Sequence, residues 1–174
     1  MTHAGMYLPS LSYMRALLRS ELGLEATPGP EKRPNRAVIR GAWGEQTLTV
    51  PLAGGRQAAG RHGRDLMVSE HGNWRHAHWQ AITSAYGRLP YFHFLEAPFA
   101  RIYASGEQRF NTLCASLQEA VMDAAGLPGV MTWLKEHPRP LRLPDDATLF
   151  PGHVSVIELL FARGPESVFY LLGD

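Results

Sequence analysis

Residues 35–52 read NRAVIRGAWGEQTLTVPL, and this stretch separates an all-helical chain from a mixed one. Asn35 to Arg40 and Gln46 to Leu52 read as two strands, the second with Leu48, Val50 and Leu52 alternating with Thr49 and Pro51. The run between them, Gly41-Ala42-Trp43-Gly44-Glu45, suits a hairpin loop. Pro51 has no amide proton to give to a ladder, which places the second run at a sheet edge or a strand end. A shorter run, Asp65 to Ser69, reads as a third strand.

Upstream of the hairpin, Ser10 is an N-cap for a helix to about Glu21, with Leu11, Met14, Leu17 and Leu18 on one face and Gly23 at its end. Residues 26–34 (ATPGPEKRP) cannot hold regular structure. Downstream, Asn73 caps a helix whose Trp74, Ala77, His78, Ala81, Ile82 and Ala85 share a face, with Gly87 and Pro90 ending it. Pro98 opens a short helix through Tyr103, and a longer one runs from about Gly106 to Ala125. That second helix carries Phe110, Leu113, Cys114, Leu117, Val121 and Ala124 inward, and Gly126 with Pro128 closes it. The proline-rich tract 135–153 crosses the surface irregularly. Ser155 to Ala162 forms another helix, and Gly164-Pro165 separates it from the apolar segment Val168 to Leu172. The expected fold is α+β: a small antiparallel sheet, made of the hairpin at about 35–52 and a strand at about 65–69, packed against about five helices in one domain spanning 1–174.

The composition fits that picture. With 174 residues, 45% hydrophobic and 19% charged, the chain can bury a core without covalent staples. One cysteine excludes an internal disulfide and a Cys-rich zinc site. The apolar runs are too short to span a membrane, and MTHAGMYLPS does not read as a secretion signal, so a cytoplasmic protein is expected. The net charge of +1 hides an asymmetry: residues 1–87 hold ten Lys/Arg against six Asp/Glu, and residues 88–174 hold seven against ten. The excess sits in Lys32, Arg33, Arg36 and Arg40, and in Arg56, Arg61 and Arg64. Arginine forks suit phosphate or carboxylate, though the same charges can simply be solvated loop residues. The basic excess is small and no strand alternates basic with aromatic residues, so no nucleic-acid partner is expected.

No phosphate-binding glycine loop, nucleophile elbow or His-Glu-x-x-His zinc motif is present. Cys114 lies on an apolar helix face and reads as core. His76 and His78 diverge by roughly 200° around a helix, so they cannot share an ion, and no metal site is expected. His78 is the one titratable group on an apolar stripe. Burial would keep its imidazole neutral near pH 7, as a general base requires; the alternative is a core histidine tied to the backbone. Tyr86, two turns on, shares nearly the same side, and Trp79 is displaced by about 100°, as cleft wall or as packing. Ser155-Val156-Ile157-Glu158 reads as a capping box, with an active-site carboxylate as the other reading of Glu158.

Several elements occur in an order that resembles the WbqC-like protein family: Tyr7-Leu8-Pro9-x-x-x-Tyr13, Asn35-Arg36, Leu48-Thr49-Val50-Pro51, Trp74-x-x-x-His78-Trp79, Ala85-Tyr86-x-x-x-Pro90-Tyr91-Phe92, and Ser155 to Phe161 with Gly164-Pro165 and Tyr170-Leu171. The similarity runs from about residue 6 to 172, with Glu158 and Ala162 standing where the family usually has Asp and Asn, and with a short proline-rich segment before Asn35. The resemblance implies a bacterial protein linked with O-antigen or other surface-polysaccharide synthesis, and a transferase-like step such as moving an acyl or aminoacyl unit to an amino sugar. Within that expectation, His78 takes the proton of the attacking amine or hydroxyl, with Asp65 or Glu158 orienting its ring. Asn35 and Arg36 contact an anionic or sugar-like ligand, and Tyr7, Tyr13, Trp79 and Tyr86 offer apolar faces to it. A non-catalytic binding protein of the same pathway is the competing expectation, in which Asn35 and Arg36 brace the hairpin. The sequence names no cofactor.

Overall fold

The computed structural model describes residues 6–23, 33–54, 66–136 and 142–173. The expected loop at 26–34 falls mostly outside these ranges, as do Lys32, Arg56, Arg61, Arg64 and Asp65. The chain forms an α+β fold in which one hairpin and a set of helices surround a continuous apolar core.

Helix α1 (Leu11–Glu21) begins where expected: Ser10 Oγ accepts from the Tyr13 amide, and Gly23 takes φ +74° just past the end. Strands β1 (Arg36–Gly41) and β2 (Gly44–Thr49) pair antiparallel, with Arg36 opposite Thr49 and Gly41 opposite Gly44. The reversal is tighter than the expected five-residue loop. Only Ala42 and Trp43 lie between the last paired residues, Gly44 adopts φ +111°, which glycine tolerates, and Trp43 is fully exposed at the tip. The expected third strand is reduced to single bridges, Leu52 to Val68 and Met67 to Arg109. The ladder cannot extend there because Pro51 has no amide proton to donate.

Helix α2 (Trp74–Tyr86) buries Trp74, His78, Ile82 and Tyr86, a narrower stripe than expected since Ala77 is exposed. Asn73 precedes it at φ +48° and makes no side-chain cap. Helix α3 (Phe92–Ala104) starts a turn and a half earlier than expected and contains Pro98 within it. Tyr91 N donates to Phe161 O at 3.0 Å, and Phe92 and Phe99 pack against Phe161 with ring centroids 4.9 and 5.5 Å away. Those contacts hold the segment before Pro98 helical although the proline removes one backbone bond. Helix α4 (Phe110–Ala124) starts later than expected and turns Phe110, Leu113, Cys114, Leu117 and Val121 inward. After Gly126 at φ +65°, helix α5 (Leu127–Glu136) begins at once. Pro128, expected to end α4, instead occupies the first turn of α5, where its missing N–H costs nothing.

Within the proline-rich tract a single 3₁₀ turn forms at Ala147–Leu149. Helix α6 (Val156–Arg163) is buried almost all round, and Gly164–Glu166 turns the chain into α7 (Ser167–Leu172). The ends of the chain are stitched together. Leu11 N donates to Val154 O, Val156 N to Pro9 O, and Ser155 N to Val38 O at 2.8–2.9 Å, so the lead into α6 runs between the start of α1 and the free edge of β1. Arg15 donates to Tyr170 O and Gly173 O, and Arg19 to Leu172 O, satisfying carbonyls that the end of α7 leaves open.

Candidate functional site

Two polar clusters lie along the buried face of α2, about 12 Å apart along the helix axis. The first surrounds His78. Tyr7, just before α1, places its hydroxyl 2.8 Å from His78 Nδ1 and 2.5 Å from the hydroxyl of Tyr103, near the end of α3. Trp74 packs edge-on against Tyr7, His78 and Tyr103 at 6.4, 5.1 and 6.5 Å. Trp79 lies 5.7 Å from the Tyr103 ring and stacks on Phe92 at 6.1 Å. The imidazole is 8% exposed, and its Nε2 makes no hydrogen bond among the described residues.

The electrostatics of this cluster follow from burial. Desolvation lowers the His78 pKa from 6.5 to about 4, so the ring is neutral at pH 7. Burial, with the Tyr103 hydroxyl alongside, raises the Tyr7 phenol well above its ordinary value. Tyr103 and the Cys114 thiol are also pushed up by burial, so all three keep their protons near neutrality. Among the described residues Trp74 Nε1 is buried without a hydrogen-bond partner, and so is Nη1 of Arg75, whose guanidinium lies over the Trp74 ring at 4.6 Å.

The second cluster surrounds Glu158, which is 7% exposed. Arg40, near the end of β1, donates from Nε at 3.1 Å and from Nη2 to Glu158 Oε1, and Nη2 also reaches Leu149 O at 2.8 Å. Tyr86 donates to Glu158 Oε2 at 3.4 Å and accepts from the Arg40 amide at 3.1 Å. Hydrogen bonding to Glu158 raises the Arg40 pKa, and burial raises that of Tyr86. The capping box is incomplete. Ser155 Oγ accepts from Ile157 N at 3.5 Å, but the Ser155 amide is committed to Val38 O and the Glu158 carboxylate turns to Arg40 instead.

The structure therefore brings Tyr7, His78 and Trp79 together, and separately Tyr86 with Glu158. It does not bring Glu158 to the His78 ring, whose Nδ1 partner is Tyr7, and Asp65 lies outside the described residues. Asn35 is buried and braces the hairpin, with Nδ2 donating to Val50 O at 2.9 Å. Arg36 is exposed at the start of β1 and makes no ion pair among the described residues. Tyr7, Tyr13 and Tyr86 are buried, and Trp79 is the most exposed of the four aromatic candidates. Tyr103 is hard to single out in the sequence because Pro98 resembles a helix start, which masks the stripe formed by Phe92, Phe99 and Tyr103. The role of Arg40 is set by its pairing opposite Glu45 and its reach to α6, neither of which leaves a local sequence signal.

A cavity of about 460 Å³ lies elsewhere, between α3 and α4, lined in part by Pro98, Arg101, Glu107, Glu119 and Asp123. None of Tyr7, Tyr13, Asn35, Arg36, His78, Trp79, Tyr86 and Glu158 lines it. Among the described residues no group of three or more His, Cys, Asp or Glu could hold a metal ion, and no helix is long and apolar enough to cross a membrane.

No curated protein and no solved structure matches the chain. The WbqC-like protein family matches residues 6–138, a span that includes Tyr7, Asn35, Arg36, His78, Trp79, Tyr86 and Tyr103 and ends before Glu158. Since that match covers most of the sequence, the chain belongs to the WbqC-like protein family.

Proposed function

We propose that this chain is a group-transfer enzyme of bacterial surface-polysaccharide or amino-sugar metabolism, and that His78 is the side chain that meets the reacting atoms. The reaction joins an acyl or aminoacyl unit to a sugar amine or hydroxyl. The nucleophile bonds to the acyl carbon, the bond from that carbon to its leaving group breaks, and the nucleophile's proton passes to solvent or to the departing group. The observation that carries this reading is the state of His78: a neutral imidazole, gripped at Nδ1 by a buried tyrosine, with Nε2 unengaged among the described residues and Trp79 partly exposed beside it. Arg36, exposed at the start of β1, is the cation we assign to a phosphate or carboxylate on the donor.

The test is turnover, followed by mass spectrometry, of a nucleotide-linked amino sugar with an acyl thioester as donor. His78→Leu should abolish acylation of the sugar while leaving the far-ultraviolet circular dichroism unchanged. Full activity in that variant removes His78 from the reaction. A second reading, a binding protein of the same pathway, draws on a specific observation: among the described residues no carboxylate hydrogen-bonds His78, and Glu158 is held by Arg40 and Tyr86. Calorimetric binding of the nucleotide-linked sugar without its consumption would favour it.

A further inference from the structure

We propose that the Tyr103–Tyr7 hydroxyl pair fixes the tautomer of His78, keeping the ring proton on Nε2 and presenting that N–H as a donor to a carbonyl, carboxylate or phosphoryl oxygen of the ligand. This rests on the reading of His78 as the ligand-facing group, and it turns the base expected from the sequence into a donor. Tyr103 is then a positioning residue, acting through Tyr7.

The argument is a count of protons. Tyr7 Oη lies 2.8 Å from His78 Nδ1 and 2.5 Å from Tyr103 Oη, and each hydroxyl has one proton to give. If Tyr103 donates to Tyr7 and Tyr7 donates to Nδ1, both hydroxyl protons have an acceptor, and the one proton left over sits on His78 Nε2, which is not among the fully buried atoms lacking a partner. In the reverse direction Nδ1–H donates to Tyr7, Tyr7 donates to Tyr103, and the Tyr103 proton has no acceptor among the described residues. Both rings are buried, so water does not supply that acceptor cheaply, and a buried hydroxyl left unpaired disfavours the reverse chain. Burial also opposes losing a proton from either phenol, which closes the ionised route to the same reversal.

The favoured direction makes Nδ1 an acceptor and leaves the proton on Nε2, the nitrogen with no partner among the described residues. A neutral imidazole donating from that position stabilises negative charge that develops on a carbonyl or phosphoryl oxygen. The wall against His78 is aromatic: Trp74, with a buried N–H that has no partner among the described residues, lies under the Arg75 guanidinium, whose Nε and Nη2 donate to Glu70, and no carboxylate among the described residues is hydrogen-bonded to the imidazole.

The test is ring nitrogen NMR of the full chain carrying ¹⁵N-labelled histidine, at pH 7 without ligand. His78 should show Nδ1 in the non-protonated range and Nε2 in the N–H range. Tyr103→Phe should leave the backbone spectrum folded and move Nδ1 downfield, toward its unbonded position, because Tyr7 loses the neighbour that polarises its hydroxyl. Tyr7→Phe should move it further. A proton on Nδ1 in the wild-type chain overturns the proposal, and so does an Nδ1 resonance that neither variant moves. Failure of the transfer assay would leave these resonances where they are, so the tautomer and the proposed activity can fail independently.

Discussion

His78 and Glu158 are both polar residues on buried faces, yet the surroundings treat them oppositely. The Glu158 carboxylate is met by two N–H groups of Arg40 and by a third donor, Tyr86. Removing that charge with Glu158→Gln should lower unfolding stability in urea by about 1 kcal/mol, since the guanidinium of Arg40 is partly exposed and can find water. His78 has no charged partner among the described residues, and burial depresses its pKa to about 4. The native ring therefore binds its proton later than the unfolded ring does as pH falls. Stability contributed by the neutral state is complete above pH 6.5 and is lost as pH drops from 6.5 towards 4, by at most about 1.4 kcal/mol per pH unit. Denaturant unfolding of wild type and His78→Phe between pH 7 and pH 4 checks the sign: the wild-type curve should fall more steeply. At this scale the sequence was informative about residue type and silent about partners. The stripe of α2 marked His78 as buried, whereas the spacing Ser155-x-x-Glu158 suggested a local cap. The Val38 carbonyl and the Arg40 guanidinium, both distant in sequence, took those groups instead.

At the scale of elements, the boundaries that were misread share one cause: proline and glycine have different meanings in different contexts. Pro98 was expected to start a helix and lies inside α3, held there by aromatic contacts with α6. Pro128 was expected to end a helix and sits in the first turn of α5, so α5 was not foreseen at all. Gly164 is the glycine whose requirement is most concrete. It takes φ +52° between α6 and α7, and a Cβ there would come 2.5 Å from the Tyr91 ring. Gly164→Ala should therefore destabilise by at least about 1–3 kcal/mol from backbone strain alone, with the ring contact adding to it. Thermal unfolding should show this directly, and a melting temperature equal to wild type would mean that the turn re-forms without strain. The hairpin, by contrast, was legible from Asn35 to Thr49, because its alternation and glycine-flanked turn are local properties.

For the whole molecule, the family match and the physical core have different extents. The match ends at residue 138, but α6 and α7 lie beyond it, and Phe161 joins α2 and α3 through contacts with Tyr86, Phe92 and Phe99. Val154 and Ser155 also hydrogen-bond both α1 and β1. A chain cut after residue 138 should therefore lack cooperative thermal unfolding, even though it retains the matched span; a sharp transition in that fragment would show that α6 and α7 are dispensable. The α+β class was readable from composition and the hairpin, but the convergence of Tyr7, His78 and Tyr103 was not. Those residues come from the chain start, α2 and α3, and no periodicity within one element reports such a meeting. The most direct check of His78 as the ligand-facing group is to titrate a nucleotide-linked amino sugar into the ¹⁵N-histidine-labelled chain and follow the ring nitrogens. The His78 Nε2 resonance should move and saturate while those of exposed His76 and His93 stay in place. Saturable binding that leaves His78 unmoved would contradict the account.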